Sequence, residues 1–309
     1  MQARQHIKES QRLNASVMCS LEILDHLESE NSASLTELSD ALHINKSRIL
    51  RLCGTMEKMG YLRRRREDAR YVLGARLLSM GRAFERQNPL LQILRPKMEE
   101  ISAQLNENVT FQIVRDQRRL CLCSVSRPNR QRYLTPEGSE APLRYGASSK
   151  VFLAWGAPEL RAKILSEAPY PRYTPATIVT ADEMLASIEQ TLKLGYALSR
   201  EERTYGTAAL AVPVFGAETE LIGSISLPGT TERLSPDFIK KALPVLKEAA
   251  QYFRIMTAGA EKTPPRKSAE TEKCGDTSCV IYNTTPLLTW EKCAAVSAPS
   301  RANLVRTTG

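Results

Sequence analysis

The sequence predicts an α+β protein that begins with a winged helix-turn-helix and continues into a larger domain built on an antiparallel sheet. Residues Leu35–Gly74 contain two short helical patterns, the second strongly basic, and then two strand patterns around four consecutive arginines. From about residue 95 to residue 256, strand patterns alternate with amphipathic helices, which is typical of one antiparallel sheet covered by helices. A chain of 309 residues is long enough for two such domains.

Apolar spacing and capping residues predict the N-terminal elements. We expect residues 1–14 to be a flexible arm and residues 15–75 to be the winged helix-turn-helix. A first helix starts at Ser16, a second is capped by Thr36, and a third is capped by Asn45 and stopped by Gly60. The apolar positions are Val17, Leu21, Leu24 and Leu27 in the first helix, and Ile49, Leu52, Cys53, Met56 and Met59 in the third.

Positive charge is concentrated in this domain. Between Lys46 and Arg86, twelve lysines and arginines oppose four acidic residues, an excess close to the net charge of +9 of the whole chain. The N-terminal half of the third helix is where a recognition helix meets the major groove, and wing arginines suit phosphate or minor-groove contact. The predicted partner is double-stranded DNA, and the predicted contacts are Lys46, Ser47, Arg48, Arg51, Arg63, Arg64, Arg65 and Arg66.

The remaining chain divides into a linker helix at 76–94, an effector-binding and oligomerisation domain at 95–256, and a tail at 257–309. The tail lacks sustained periodicity and is rich in Thr, Ser and Pro, which predicts disorder. A closing helix is expected to start at Pro236 and to end near Met256. The predicted strands are Val109–Arg115, Leu120–Ser126, Gln131–Thr135, Tyr196–Ser199, Ala208–Phe215 and Leu221–Leu227, and the predicted helices between them are Ser148–Trp155, Pro158–Ser166 and Ala181–Leu194.

Several functional classes are disfavoured by composition. All three histidines lie in the first 45 residues, so the larger domain has no imidazole for catalysis or metal binding. Seven scattered cysteines and no export signal predict free thiols in a reducing cytoplasm, and no apolar run approaches the length of a membrane span. We therefore expect no enzyme activity, no metal and no cofactor. Cys121 and Cys123 are expected to be buried apolar residues rather than a redox switch.

Four motifs in order resemble the IclR family of bacterial transcriptional regulators, over about residues 15–256. They are the helix-turn-helix LTELSDALHINKSRILRLCGTMEKMGYL, the wing-to-linker segment RYVLGARLLSMG, and the segments GSEAPLRYGASSKVFLAW and LGYALSREERTYGTAALAVPVF. The resemblance implies a GAF-like effector domain that binds a small organic or aromatic acid. It also implies homodimers or tetramers on palindromic operators.

The resemblance also implies where the effector binds, at the turn entering one helix and on the strand after Glu-Glu-x-x-x-Gly. Ser149 replaces a glycine usual in the family, and Arg144 stands where histidine is common, so Arg144 is a candidate carboxylate anchor. The predicted effector residues are Ala147, Ser148, Ser149, Ser199, Ala209 and Arg144.

Two other hypotheses remain open from the sequence. The C-terminal domain could serve only to oligomerise a constitutive DNA-binding protein, or it could be hydrolase-like and use a serine beside Lys150. The leading hypothesis is a repressor or activator whose ligand changes its affinity for an operator.

Overall fold

The structure, a computed structural model, describes residues 13–128 and 135–260, with side chains as far as Thr257. The chain forms two compact units, residues 1–87 and 88–309, and each is considered by itself. The predicted disordered tail and its cysteines Cys274, Cys279 and Cys293 lie outside the described residues, apart from the first few residues of the tail.

The first unit is a three-helix domain followed by a hairpin and a further helix. Its core contains Ile23, Leu38, Ile49 and Tyr71, which are almost wholly buried. The predicted winged helix-turn-helix arrangement is confirmed. The elements are α1 Ala15–Glu30, α2 Leu35–Leu42, α3 Lys46–Lys58, β1 Leu62–Arg64, β2 Tyr71–Leu73 and α4 Ala75–Gln87.

Short polar side chains define where these helices begin. Asn14 caps α1, and Asn45 caps α3 by accepting a hydrogen bond from the Arg48 amide, as predicted. The prediction for α2 is wrong, because its cap is Ser34 rather than Thr36. Ser34 and Glu37 form a capping box in which each side chain bonds the backbone of the other residue, satisfying two amides at the helix start.

The predicted apolar stripe of α1 is also wrong in part. The helix turns Cys19, Ile23 and Leu27 into the core, whereas Val17 and Leu21 are more than half exposed. The i, i+3, i+4 spacing fits both faces of this helix, since apolar residues lie on each, and packing against α2 and α3 selects one of them. Met59 was predicted on the apolar face of α3, but it is 62% exposed because the helix has ended at Lys58.

The hairpin is joined closely to the helices. β1 pairs antiparallel with β2, and Tyr71 also bridges to Ala33 in the segment between α1 and α2. Gly74 allows the chain to leave the hairpin, because a Cβ at this position would collide with the carbonyl of Gly60. The wing is therefore held at both of its ends by the helical core.

In its described residues, the second unit forms a six-stranded antiparallel sheet with helices on both faces. The strand order is β5-β4-β3-β8-β7-β6, in agreement with the predicted class. The strands are β3 Val109–Arg115, β4 Arg118–Val125, β5 Glu140–Pro142, β6 Ala197–Arg200, β7 Thr207–Phe215 and β8 Leu221–Thr230. The helices are α5 Pro89–Leu105, α6 Ala147–Trp155, α7 Pro158–Ser166, α8 Ala181–Leu194 and α9 Pro236–Ala260.

Two predicted elements take a different form. The linker segment 76–94 comprises α4 and the start of α5, with Asn88 capping α5 between them. The predicted strand Gln131–Thr135 falls almost wholly outside the described residues, and Thr135 itself is not in a strand. The strand that pairs with the free edge of β4 is Glu140–Pro142.

One face of the sheet carries the main apolar core. Val109 and Phe111 of β3 and Ile225 and Leu227 of β8 pack with α5 and α9 in one cluster. The opposite face meets α6, in which every residue from Ala147 to Ala154 is buried. The centre of the sheet is therefore covered on both sides.

We expect removal of the α2 cap to loosen this helix locally. Ser34→Ala deletes the acceptor for the Glu37 amide and should lower the free energy of opening α2 by about 1 kcal/mol. Amide hydrogen exchange over Leu35–Leu42 should then accelerate, and Ser29→Ala, which removes an exposed hydroxyl near the end of α1, serves as the control. Unchanged exchange in α2 would contradict the role of Ser34.

The Glu37 side chain should make this stabilisation depend on pH. The hydrogen bond from the Ser34 amide, followed by that from Arg70, lowers the pKa of Glu37 from 4.5 to about 2. A lowered pKa in the folded state stabilises the fold above the unfolded value and is lost as the pH falls towards the folded value. The difference in α2 exchange between wild type and Glu37→Gln should therefore be constant above pH 5 and shrink between about pH 4.5 and pH 2. A difference independent of pH would contradict this assignment.

Candidate DNA-binding and effector sites

The start of α3 presents polar and basic side chains to solvent. Lys46, Ser47 and Arg51 are exposed, and Arg48 is half-buried. Their exposure follows from the burial of Ile49 and Cys53 on the other side of the helix. This is the orientation that a recognition helix requires, with an apolar face on the core and a basic face outward.

Ser47 is oriented by the helix cap. Its hydroxyl donates to Oδ1 of Asn45 at 2.7 Å, and the same oxygen accepts from the Arg48 amide. The Ser47 hydroxyl therefore uses its proton within the cap, and its oxygen can still accept a hydrogen bond from outside. Lys46 and Arg51 form no ion pair or side-chain hydrogen bond with the described residues.

The four consecutive arginines of the wing divide into two kinds. The Nε of Arg64 donates to the carbonyl of Ala69 at 2.9 Å, and its guanidinium lies 5.5 Å from the ring centroid of Tyr71. Arg65 pairs with Asp68 at 2.6 Å. By contrast, Arg63 and Arg66 are exposed and have no side-chain partner within the described part of the chain. Arg64 and Arg65 hold the wing together, whereas Arg63 and Arg66 keep their charge available to an anion.

In the second unit, the face of the sheet beneath α6 is polar at its centre. Thr110 and Gln112 of β3 stand opposite Ser226 and Ser224 of β8, and all four are buried. Thr110 Oγ1 and Ser226 Oγ share a hydrogen bond of 2.8 Å. Buried hydroxyls and amides are costly unless they are bonded, so this polar row beneath a helix is a candidate binding surface.

The fold brings several predicted effector residues together on this face. Ser148, at the start of α6, lies on the sheet, where it accepts a hydrogen bond of 3.3 Å from Ser224 Oγ. Ser199 and Ala209 are direct partners across β6 and β7. Ala147 packs with Ala211 of β7 in a small apolar cluster. Ser149 is buried, and its hydroxyl has no hydrogen-bond partner among the described residues.

A buried ion pair anchors the start of α6. Lys150 Nζ lies 2.5 Å from Glu202 Oε1 and donates to the Leu198 carbonyl at 2.9 Å. The other carboxylate oxygen of Glu202 accepts from the Gly146 amide at 2.9 Å. Glu202 therefore occupies part of the positive end of α6, where an anion is stabilised by the orphan amides.

Arg144 occupies different surroundings from the serines. It is half-buried, and its guanidinium lies 4.0 Å from the Glu167 carboxylate. It lines a depression of about 170 Å³ together with Asp116 and Ile164. A larger groove of about 570 Å³ lies between the end of β7 and α9, lined by Phe215, Arg254 and Ile255 among others. Ser148 and Ser199 line neither feature.

Sequence reasoning missed the polar row of β3 and β8. Alternation of polar and apolar residues along these strands was visible, but it is the ordinary signature of a sheet with one face in water. Only the packing of α6 over the sheet turns Thr110, Gln112, Ser224 and Ser226 into buried groups. Glu202 was part of a quoted motif, although its ion pair could not be read from the chain.

Cys121 and Cys123 are both buried, as expected, and neither is in a disulfide. Burial raises the pKa of each thiol to about 12. Such thiols carry very little thiolate at neutral pH, which disfavours redox chemistry. In the described ranges, no cluster of three or more histidine, cysteine or acidic residues could hold a metal ion, and no helix is long and apolar enough to span a bilayer.

Comparison with known proteins places both units of the chain in one family. The IclR helix-turn-helix domain matches residues 16–66, and the C-terminal domain described as that of the bacterial transcriptional regulator IclR matches residues 83–254. The transcriptional repressor IclR of Escherichia coli (strain K12) is 27% identical over 234 residues, which are 75% of this chain and 85% of the repressor.

Solved structures show the same fold. An IclR regulator from Alicyclobacillus acidocaldarius has a TM-score of 0.72 at 24% identity, covering 79% of this chain and 99% of that one. An IclR homologue from Microbacterium hydrocarbonoxydans, complexed with 4-hydroxybenzoate, has a TM-score of 0.70 at 20% identity, covering 79% and 100%. With its helix-turn-helix and its covered antiparallel sheet in the family's order, the chain belongs to the IclR family of bacterial transcriptional regulators.

Proposed function

We propose that this regulator binds an operator through α3 and the wing, and that a small organic acid bound beneath α6 changes its affinity for DNA. The observation that carries the sensing half of the proposal is the buried polar row between α6 and the sheet. A domain that only oligomerised would gain more from an apolar interface there, because buried hydroxyls add little net stability.

The DNA contacts divide by role. Lys46, Ser47, Arg48 and Arg51 enter the major groove, where Arg48 and Arg51 read bases and Lys46 binds phosphate. Ser47 binds phosphate when its hydroxyl proton turns from Asn45 to the phosphate oxygen. Arg63 and Arg66 contact the backbone or the minor groove. Arg64 and Arg65 support them by holding the hairpin in shape, although their charge still adds to the local field.

The effector is a carboxylate of modest size. The Microbacterium homologue is complexed with 4-hydroxybenzoate, and its fold is that of this chain. In this proposal the hydroxyls of Ser148, Ser149 and Ser199 bond polar substituents of the effector, and Ala147 and Ala209 leave room beside them. Effector binding acts on DNA only in so far as the ligand prefers one of two arrangements of the regulator.

A homodimer or tetramer on a palindromic operator fits the surface of the first unit. Val17 and Leu21 form an exposed apolar pair on α1, and Leu78 and Phe84 are exposed on α4, which has no buried residue. A second copy of the chain covering such faces would set the spacing of two recognition helices. The segment around Leu77–Arg86 then transmits a change in the effector domain to that spacing.

The two depressions described above lie away from Ser148, which favours a second candidate, a constitutive DNA-binding protein that only oligomerises. Ligand-dependent melting distinguishes the two. A Ser–Lys hydrolase is disfavoured, because Lys150 is held by Glu202 and the Leu198 carbonyl and is a poor general base.

We predict different DNA-binding defects for two arginines, one selective for the operator and one independent of DNA sequence. Arg51→Ala should weaken binding to the operator by roughly 10-fold, a loss of 1–3 kcal/mol being typical for a base-reading arginine, and should relax selectivity at one base pair. Arg66→Ala should weaken binding to operator and random DNA equally and reduce the slope of log K against log salt by about one. Fluorescence anisotropy over a range of salt concentrations measures both.

The matched control is Lys163→Ala, which removes the same charge from an exposed position on α7 in the other unit. It should leave the salt dependence unchanged. Equal effects of Arg51→Ala and Arg66→Ala on operator and random DNA would be inconsistent with the assigned roles.

We also predict a ligand effect that depends on the polar row. Carboxylates such as 4-hydroxybenzoate and benzoate should raise the melting temperature of the full-length protein and change its operator affinity. Ser224→Val removes the hydroxyl that bonds Ser148 and should raise the carboxylate concentration needed for either effect by about 10-fold. The operator affinity without ligand should stay the same. A carboxylate panel that alters neither melting nor DNA binding of the wild type would favour the constitutive protein.

A further inference from the structure

A partly buried arginine on β4, Arg119, lies beside the candidate effector site and was not among the expected site residues. Arg119 Nη1 donates to Gln112 Oε1 at 3.0 Å, and Gln112 in turn donates to Thr110 Oγ1 at 3.4 Å. Thr110 shares its hydroxyl with Ser226. The guanidinium is therefore the end of the polar row beneath α6.

The same guanidinium lies at the N-terminal end of α6. A Cβ built on Gly146, the residue that caps this helix, would be 3.5 Å from Arg119 Nη2. Gly146 has a φ of 90°, which glycine adopts without strain and other residues rarely do, so the backbone at this point favours glycine. The guanidinium thus adds a full positive charge to the end of the helix that already carries a partial one.

This charge has no carboxylate partner. Arg119 forms no ion pair with any described residue, and its Nε is buried without a hydrogen-bond acceptor. Glu202, a nearby carboxylate, is engaged by Lys150 and by the Gly146 amide. Burial lowers the pKa of Arg119, which reflects the cost of keeping a guanidinium charged away from water.

A second cation increases the imbalance. The guanidinium of Arg119 lies 5.7 Å from the centroid of the Tyr145 ring, and that of Arg203 lies 5.1 Å from the same centroid. Arg203 likewise has no ion-pair partner in the described ranges. Two like charges sharing one aromatic ring repel each other, and an anion bound beside them would relieve this repulsion.

We infer that Arg119 is the group that binds the carboxylate of the effector, next to Tyr145 and at the start of α6. This inference rests on the proposed sensing function and identifies the anchoring residue. A guanidinium offers two parallel N–H donors that match the two oxygens of a carboxylate, which a single hydroxyl cannot do. Its Nε and the hydroxyl of Ser149 are the buried donors near α6 that still lack a partner among the described residues.

Arg144, the anchor expected from the sequence, is less suited to this task. It already faces the Glu167 carboxylate at 4.0 Å, so an incoming carboxylate would meet a negative charge beside it. The carboxylate near Arg119, that of Glu202, is already engaged by Lys150 and by the Gly146 amide. The two arginines differ in partner, and a pair of equivalent substitutions can therefore separate them.

The test uses the full-length protein and calorimetric titration with 4-hydroxybenzoate, benzoate and the neutral 4-hydroxybenzamide. Arg119→Gln keeps a donor for Gln112 but removes the charge. It should lower the affinity for the two carboxylates by roughly 30- to 100-fold, as expected for a desolvated charge pair. It should change the affinity for the amide by no more than about threefold. Arg119→Lys should retain part of the carboxylate affinity, because it keeps the charge without the planar fork.

Arg144→Gln is the matched control and should leave the preference for carboxylate over amide unchanged. Operator binding without ligand verifies that each variant is folded. The comparison of acid with amide separates the loss of a charge contact from a purely structural loss, because the latter would weaken both ligands alike. Retention of the full carboxylate preference in Arg119→Gln, or its loss in Arg144→Gln, would overturn this inference and leave the sensing function standing. Failure of every carboxylate to bind the wild type would instead overturn the sensing function itself, and this inference with it.

Discussion

The structure of the effector domain depends on the packing of α6 against the polar face of the central strands. α5 and α9 already cover the opposite face with aliphatic and aromatic side chains, which supplies most of the apolar burial. Covering the second face removes water from Thr110, Gln112, Ser224 and Ser226. Each group must then find a protein partner or a ligand, so the contact that closes the domain also creates the polar surface that we propose binds the effector.

The Lys150–Glu202 pair holds this arrangement in register. It ties α6 to the segment after β6 through one carboxylate that bonds both an ammonium group and a helix amide. A buried pair of this kind contributes little net stability, but it strongly disfavours any packing that would separate its members. Because the two charges of the pair neutralise each other, the pair adds little net charge beside Arg119.

In the DNA-binding unit, too, polar groups are hydrogen-bonded within the fold or left exposed to solvent. Asn45 and the Ser34–Glu37 box satisfy the amides that α2 and α3 leave at their starts. Arg64 and Arg65 are bonded within the hairpin, which leaves Arg63 and Arg66 at its surface for an external anion. A run of four identical residues thus contains two structural roles that composition alone cannot separate.

Local sequence determined the secondary structure and the order of the elements, because helix caps, glycine stops and apolar periods act over a few residues. It also determined the family, through motifs at fixed spacing. Where both faces of α1 carried apolar residues, the sequence could not show that Val17 and Leu21 lie outside the core. Along β3 and β8 it showed which face is polar, but not that α6 buries that face. Tertiary packing made those choices. It also brought Arg119 of β4 together with Tyr145 and Gly146 before α6. Burial and charge balance depend on contacts between residues that are distant in the sequence, so local patterns do not show them.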